Sequence, residues 1–290
     1  MTLFLEQLLN GLAMGSIYAL ITLGLALVYG ILRILHVAHA GLYTVGAYVG
    51  LFFYSSSGSL LIALGSSMAV CALLGVCIER FVYFPLLKFP PFVPLIGSIS
   101  ILLIIEEVCR LIFGPHIHAF PASLPFPEVS LGSLSISSML IGVYLITLVI
   151  LFFLWFLVKK TSFGLAMRAS SQDIEIAEAN GINARRTIDL TFVIGSAVAA
   201  VAGVLVGIYY NQVYPTMGAV PAYKSLALIV VGGLGSIQGA VFASLLLGIA
   251  ETLLIGYANI PLPRDAIAFI AMISVLMWKP TGLFSSRKGA

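Results

Sequence analysis

Charged residues are the scarcest feature of this 290-residue chain, at 9% of its residues compared with 61% that are hydrophobic. Soluble globular domains carry roughly a quarter charged residues, so a water-exposed surface cannot be assembled from this composition. The mean hydropathy of +1.14 points the same way. The composition therefore predicts an integral membrane protein, whose main solvent is lipid.

Several chemical signatures are also missing. The net charge is only +3 and the sequence has no basic patch interleaved with aromatics, which argues against nucleic-acid binding. No Gly-Lys dipeptide occurs, which excludes a Walker A loop for ATP phosphates. The three cysteines lie in apolar segments without metal-ligand spacing. We therefore expect no catalytic residue, no metal site and no cofactor bound by this chain, and we do not expect an enzyme.

Long apolar runs are what the chain has instead. A helix needs about 20 apolar residues to cross a bilayer core. Runs of this kind, one of them short, lie at 8–30, 41–54, 60–78, 93–113, 137–158, 189–210, 238–257 and 264–278. We predict an all-α polytopic integral membrane protein with about eight transmembrane helices, in which residues 1–290 form a single transmembrane domain.

Two segments depart from a regular span, near 33–41 and 224–237. Glycines at 232, 233 and 235 interrupt the second one. Irregular backbone at membrane depth is tolerated only inside protein or beside a water-filled path, and interrupted spans are typical of transport routes. We therefore interpret 224–237 as a thin, glycine-broken crossing. Gly-x-x-x-Gly pairs predict close helix contacts at 11/15, 46/50, 203/207 and 235/239.

The distribution of lysine and arginine predicts the orientation. With the 159–189 loop in the cytoplasm, alternating spans place most basic residues inside, Arg287 and Lys288 among them. Only Arg110, Lys224 and Arg264 fall outside. This orientation puts the N-terminus outside and the C-terminus in the cytoplasm.

A few ionisable residues fall within the predicted spans. Such groups are functional candidates by default, and Glu251 is one; the alternative is a structural hydrogen bond to a neighbouring helix. Arg110 follows Glu106 by four residues, a favourable helix pair, so we interpret these two as structural. His36 and His39 flank a turn and are candidates to line a substrate exit; a capped helix start is the alternative.

The stretch 159–189 carries nine charged residues. Ser170 or Ser171 is predicted to cap a short helix, and Gly181 to end it. A helix of about two turns is marginal alone in water, so we expect another molecule to pack on it. Ile174 and Ala177 share the face predicted to dock.

Four quoted stretches carry a family resemblance. "GLAMRASSQDIEIAEANGINARRTIDLTFVIGSAVAAVAGVLVG", from Gly164, resembles the cytoplasmic coupling segment of permease subunits of branched-chain amino acid ABC importers. "VGGLGSIQGA" from Val231, "WKPTGLF" at 278–284 and "LHVAHAGLYTVGAYVG" at 35–50 resemble further elements of that family. The matches are distributed over nearly the whole chain, and they are of the first-permease (H) type.

The resemblance implies a permease that forms the translocation path for branched-chain or related hydrophobic amino acids in the bacterial cytoplasmic (inner) membrane. Two separate ABC ATPase subunits would bind ATP and Mg. A second related permease subunit and an extracytoplasmic binding protein would complete the assembly. The sequence leaves open whether the permease core is a heterodimer or a homodimer.

The resemblance implies a coupling role for one set of residues, and the glycine-broken segment and the polar groups within the spans give candidates for the substrate path. The residues implied in coupling to the ATPase are Arg168, Gln172, Asp173, Ile174, Ala177, Glu178, Gly181, Arg185 and Arg186. The candidates for the substrate path are His36, His39, Tyr43, Thr44, Gly232, Gly233, Gly235, Ser236 and Glu251.

One departure keeps the cargo open. Where the family has Asn, His, Gly and an acid, this chain has His36, His39, Ala40 and Gly41. If the missing carboxylate helps to bind a substrate ammonium, urea or short amides, or small hydrophobic carboxylates, become alternatives. A rival of another class is an ion-coupled secondary transporter, with Glu251 as its intramembrane carboxylate.

Overall fold

The computed structural model describes residues 2–122, 128–131, 134–257 and 263–284. Helices in these ranges, in chain order, are α1 (Thr2–Leu32), α2 (His39–Ser57), α3 (Leu60–Ile78), α4 (Phe84–Leu86), α5 (Phe92–Phe113), α6 (Ser138–Lys160), α7 (Ser162–Gln172), α8 (Ile174–Ala179), α9 (Ala184–Tyr209), α10 (Ala219–Gly232), α11 (Ile237–Thr252) and α12 (Arg264–Trp278). Short π-helical segments extend α3 over Glu79–Tyr83 and α11 over Leu253–Tyr257. Between α5 and α6, β1 (Val129–Leu131) pairs antiparallel with β2 (Leu134–Ile136).

The predicted polytopic helical fold is confirmed. Within the described ranges, six helical segments are long and apolar enough to cross a membrane: Leu3–Leu32, Leu60–Leu86, Phe92–Phe113, Ser138–Lys160, Ala184–Tyr209 and Ile237–Tyr257. The less apolar α2 and the shorter α10 and α12 pack into the same bundle. Every apolar run found in the sequence overlaps one of these helices. Arg287 and Lys288, which entered the orientation argument, lie outside the described residues.

Two helices form the centre of the bundle. In their most apolar stretches α1 is 94% buried and α9 is 83% buried, whereas the figures for α3 and α5 are 22% and 28%. α1 packs on α11, α9, α6 and α10, while α9 packs on α2 and α3. A helix that is apolar all round belongs in such a centre, and the peripheral helices turn their remaining apolar side chains outward, toward lipid.

Small residues allow the central helices to approach closely. A Cβ at Gly11 would lie 2.8 Å from the Cα of Ile249 on α11, and one at Gly46 would lie 2.4 Å from the Cα of Ala200 on α9. Three of the predicted Gly-x-x-x-Gly pairs therefore lie at tight contacts. The fourth prediction is wrong for Gly235, which has open space around it.

The glycine-rich segment differs in detail from the prediction. α10 begins at Ala219, five residues before the predicted start, and it is continuous through Gly232. The glycines end this helix instead of interrupting it, because Gly233 and Gly235 have φ values of 103° and 86° in the turn that leads to α11. The turn lies at the same end of the bundle as α7 and α8, which we name the polar-segment end; the other end, with residues 114–122 and 210–218, is the opposite end.

Candidate functional site

The polar segment between α6 and α9 folds as two capped helices. The Thr161 hydroxyl accepts a hydrogen bond from the Gly164 amide at the start of α7, and the Asp173 carboxylate accepts one from the Ile176 amide at the start of α8. The expectation that Ser170 or Ser171 caps the helix is wrong, because both lie within α7. These side-chain caps satisfy backbone amides that a helix leaves unpaired.

Contacts with the bundle fix the position of α7. The Arg168 guanidinium donates to the carbonyl of Val158 at the end of α6. Arg33, which follows α1, donates to the carbonyl of Ser171 at 3.3 Å. The polar segment is therefore attached both to α6 and to the loop between α1 and α2.

Most of the predicted coupling residues face outward at this end. The exposed ones are Arg168, Gln172, Asp173, Glu178, Gly181, Arg185 and Arg186. Ile174 is half-buried, and Ala177 is 4% exposed within this chain. Ala177 is therefore not available to a partner, and the apolar side chain that α8 presents to solvent is Ile176, which is 62% exposed.

The predicted path residues occupy three separate places. The glycine turn with Ser236 lies at the polar-segment end, where Ser236 caps α11 through the Gly239 amide. The chain after α12 docks on this turn: the amide of Leu283 donates to the Val231 carbonyl, and a Cβ at Gly282 would lie 2.3 Å from the Cα of Gly233. Two of the sequence stretches that resemble the family are therefore in direct contact.

The two histidines form a packed polar cluster, and both are buried. His36 Nδ1 lies 2.5 Å from the Tyr83 hydroxyl, which donates to Ser98 Oγ at 2.7 Å. His39 Nε2 lies 3.2 Å from the Ile21 carbonyl. Because a carbonyl only accepts, we assign the proton to Nε2 of His39. The cluster joins the 33–38 loop to α3, α5 and α1.

A cluster of buried charges lies toward the opposite end. The Lys224 ammonium on α10 is 2.9 Å from Glu251 Oε1 on α11 and 3.2 Å from Asp265 Oδ1 on α12. The Tyr18 hydroxyl on α1 donates to Glu251 Oε2 at 2.9 Å and lies 3.0 Å from Lys224 Nζ. Four helices therefore meet at one ammonium group, and the buried carboxylate of Glu251 is paired, as a charge in a low-dielectric interior requires.

A cavity of 210 Å³ adjoins this cluster. Tyr43, one of the predicted path residues, lines it together with Tyr18, Lys224, Arg264 and Asp265. The structure therefore brings two path candidates, Tyr43 and Glu251, to one place. His36, His39 and Thr44 are buried in packed parts of the bundle.

Sequence reasoning missed Lys224 as part of this site, and it paired Arg110 with the wrong glutamate. Lys224 enters the sequence analysis only as one of the basic residues in the orientation argument, whereas its side chain is 2% exposed within the bundle. The predicted Glu106–Arg110 pair is wrong, because Arg110 instead contacts Glu107 at 2.8 Å. A lysine in the apolar stretch "AYKSLALIVV" was the available signal, since an ionisable group within a span needs a partner.

Comparison with known proteins identifies the family. The model of the family described as branched-chain amino acid transport system / permease component matches residues 7–276. The chain is 35% identical to the high-affinity branched-chain amino acid transport system permease protein BraD of Pseudomonas aeruginosa, over 97% of this chain and 95% of that protein. It is also 35% identical to the corresponding permease protein LivH of Escherichia coli K12, with the same coverage.

A solved structure shares the fold. PsaBC from Streptococcus pneumoniae in complex with Fab aligns with a TM-score of 0.51 at 15% identity, over 95% of this chain and 90% of that chain. At this identity the likeness supports only the arrangement of helices.

Proposed function

The chain belongs to the family of permease components of branched-chain amino acid transport systems, and from that premise we propose that it forms the translocation path of a binding-protein-dependent ABC importer. Its cargo would be branched-chain or related hydrophobic amino acids. The similarity extends over nearly the full length of both relatives and of this chain, so it covers a whole permease.

The observation that carries this proposal is the polar segment. It holds exposed charged side chains on α7 and α8, outside an otherwise apolar bundle, and it is anchored to α6 and to the 33–38 loop. A short, capped and exposed helix is suited to docking into a groove on another protein. We infer that one of two ATPase subunits, which bind ATP and Mg, contacts α8 of this chain through Ile176 and the charged residues around it.

The remaining partners and the orientation follow from the same proposal. The polar segment and the C-terminus would lie in the cytoplasm, and the N-terminus would lie outside the inner membrane. The opposite end, with residues 114–122 and 210–218, would face the extracytoplasmic binding protein. A second, related permease subunit would pair with this chain through the apolar faces of the bundle.

The cargo alternatives depend on the carboxylate that the 35–50 element lacks. A Cβ at Gly41 would lie 2.8 Å from Ile105 Cδ1, so position 41 faces α5 and not the cavity. The departure at Gly41 therefore says little about what the cavity accepts, and hydrophobic amino acids remain the favoured cargo. Urea, short amides and small hydrophobic carboxylates are tested as competing solutes in the experiment below.

Uptake by reconstituted vesicles tests the proposal. Vesicles containing this chain with its ATPase, second permease and binding protein are expected to accumulate L-leucine only when ATP is supplied. Vesicles containing this chain alone are expected to accumulate none. Leucine uptake by the chain alone, driven by an ion gradient, would establish a secondary transporter instead; selective uptake of urea or of 4-methylpentanoate would reassign the cargo.

Replacement of Ile176 by aspartate tests the coupling contact. Burying one large apolar side chain in a groove is worth about 1.5–3 kcal/mol, so Ile176→Asp is expected to lower ATPase affinity and ATP-driven uptake by about tenfold or more. The matched control is Ile117→Asp at the opposite end, where Ile117 is 64% exposed. ATPase affinity decides the test, because Ile117 lies at the end proposed to face the binding protein; equal ATPase affinity of the two variants would refute the contact while leaving the family assignment intact.

A further inference from the structure

The cavity at the opposite end combines an apolar wall with fixed charges. Met14, Val206, Met217 and Val220 contribute apolar side chains to it. The cavity's 210 Å³ far exceeds the roughly 10–15 Å³ that a cavity needs to hold one water, so it has room for several waters or for a small solute. Small-molecule sites commonly have this character, with an apolar lining and a few polar groups that fix orientation.

Two opposite charges at the start of α12 line the cavity. Arg264 and Asp265 are consecutive, and adjacent side chains on a helix do not face each other, so they do not neutralise one another directly. Arg264 donates to the Tyr210 hydroxyl at 3.1 Å. In the described part of the chain it forms no ion pair. A guanidinium has five N–H donors, so this group can also bind a carboxylate.

Asp265 has acceptor capacity left. Lys224 lies closer to Glu251, at 2.9 Å, than to Asp265, at 3.2 Å, and both side chains of the closer pair are 2% exposed. One ammonium shared by two carboxylates leaves a net negative charge, and Asp265 is the more exposed of the two carboxylates. The Asp265 side chain is 39% exposed and also accepts from the Tyr223 hydroxyl at 2.7 Å. A carboxylate offers about four lone-pair sites, so Asp265 can accept from a second cation.

We propose that this cavity binds the zwitterion of an apolar α-amino acid. Asp265 accepts hydrogen bonds from the ligand ammonium, Arg264 donates to the ligand carboxylate, and the apolar wall contacts the ligand side chain. The proposal rests on the proposed function, which supplies the cargo class, and it adds the residues that recognise each charged group. Glu251, enclosed with Lys224, takes no part in binding; the negative charge that the single ammonium leaves uncompensated is presented to the ligand by Asp265.

Binding of three ligands tests these assignments. Radiolabelled L-leucine is bound to the complete transporter in lipid nanodiscs without nucleotide or binding protein, and is competed by 3-methylbutylamine, which lacks the carboxylate, and by 4-methylpentanoate, which lacks the ammonium. Each analogue is expected to bind about tenfold more weakly than leucine or worse, because each loses a charge-assisted hydrogen bond.

Two variants should then show opposite ligand preferences. Asp265→Asn is expected to weaken the binding of leucine and of 3-methylbutylamine by about tenfold or more. Its affinity for 4-methylpentanoate is expected to stay within about twofold of the wild-type value. Arg264→Gln is expected to weaken the binding of leucine and of 4-methylpentanoate and to leave the affinity for 3-methylbutylamine unchanged. The amide introduced by Asp265→Asn keeps an acceptor for Tyr223, and Lys224 keeps Glu251, so folding should be maintained. The control Glu107→Gln alters an exposed pair at the same end and is expected to bind all three ligands normally.

The contradicting results are distinct from a failure of the proposed function. Equal weakening of all three ligands in both variants indicates a structural role and overturns the site, as does unchanged leucine binding. ATP-driven leucine uptake by the wild-type transporter is measured in parallel. Uptake that persists at the wild-type rate in both variants overturns the site alone, whereas absence of wild-type uptake overturns the proposed function.

Discussion

The two ends of the molecule hold their charges in opposite ways. At the polar-segment end, Asp173 caps α8 and Glu175 and Glu178 lie on it; all three are exposed, and this six-residue helix packs on the bundle at few points. Toward the opposite end, Lys224 and Glu251 are each 2% exposed and are 2.9 Å apart between apolar helices.

The two arrangements differ in how much their charges affect the stability of the fold. Exposed ion pairs contribute about 0–1 kcal/mol, so the charges of the polar segment are free to serve recognition by another protein. Removing one partner of a buried pair costs about 3–5 kcal/mol, because the remaining charge stays out of water. The buried charges are therefore fixed by the fold, and only a group with residual exposure, such as Asp265, is available to a solute.

The largest expected effect comes from removing one member of the buried pair. Lys224→Met leaves Glu251 without its cation and is expected to destabilise the protein by about 3–5 kcal/mol. The double variant Lys224→Met/Glu251→Leu should recover most of that loss. Denaturant unfolding of the purified chain in detergent measures both. A single variant within about 1 kcal/mol of the wild type would show that the pair is not effectively desolvated.

A smaller and local effect is expected in the polar segment. Asp173→Ala removes the cap that accepts from the Ile176 amide and should cost about 0.5–2 kcal/mol of helix stability. Since α8 makes few contacts with the bundle, its amides should exchange hydrogen faster while the unfolding midpoint of the whole chain stays constant. Glu175→Ala, on the same helix, is the control. If both variants exchange alike, Asp173 is not an effective cap.

The smallest effect is expected for an exposed pair at the opposite end. Arg110→Gln breaks the contact with Glu107, whose side chain is 59% exposed. A helix pair of this spacing contributes about 0.2–0.5 kcal/mol. The same unfolding assay should therefore scarcely distinguish the variant from the wild type. A decrease in the free energy of unfolding of about 2 kcal/mol or more would contradict the proposed difference between exposed and buried pairs.

Sequence reasoning predicted the spans well because the bilayer imposes length and hydropathy on them. The runs 60–78 and 264–278 coincide with α3 and α12. It missed α7, whose buried residues are Gly164, Met167 and Ser170. Of these three buried residues only Met167 has a large apolar side chain, so α7 has no clear helical periodicity of apolar residues in the sequence.

The details that sequence reasoning missed depend on contacts between distant parts of the chain. Ser170, Ser171 and Asp173 are all residue types that cap helices, and α7, by continuing to Gln172, leaves only Asp173 for that role. Lys224 and Glu251 are 27 residues apart on different helices. One sequence gives no indication that these two side chains meet, although the cost of an unpaired charge predicts that each needs a partner.

The central claim is that an ATPase subunit contacts the polar segment from the cytoplasmic side of the membrane. The most direct test labels single engineered thiols with a membrane-impermeant maleimide in intact cells, in a chain whose three native cysteines are replaced and which is produced without the ATPase subunits that would cover α8; the thiols are Glu178→Cys on α8 and Thr216→Cys at the opposite end, both at exposed positions. The account predicts that the thiol at position 216 is labelled and that the thiol at position 178 reacts only after the membrane is permeabilised. Labelling at position 178 from outside intact cells would contradict the account.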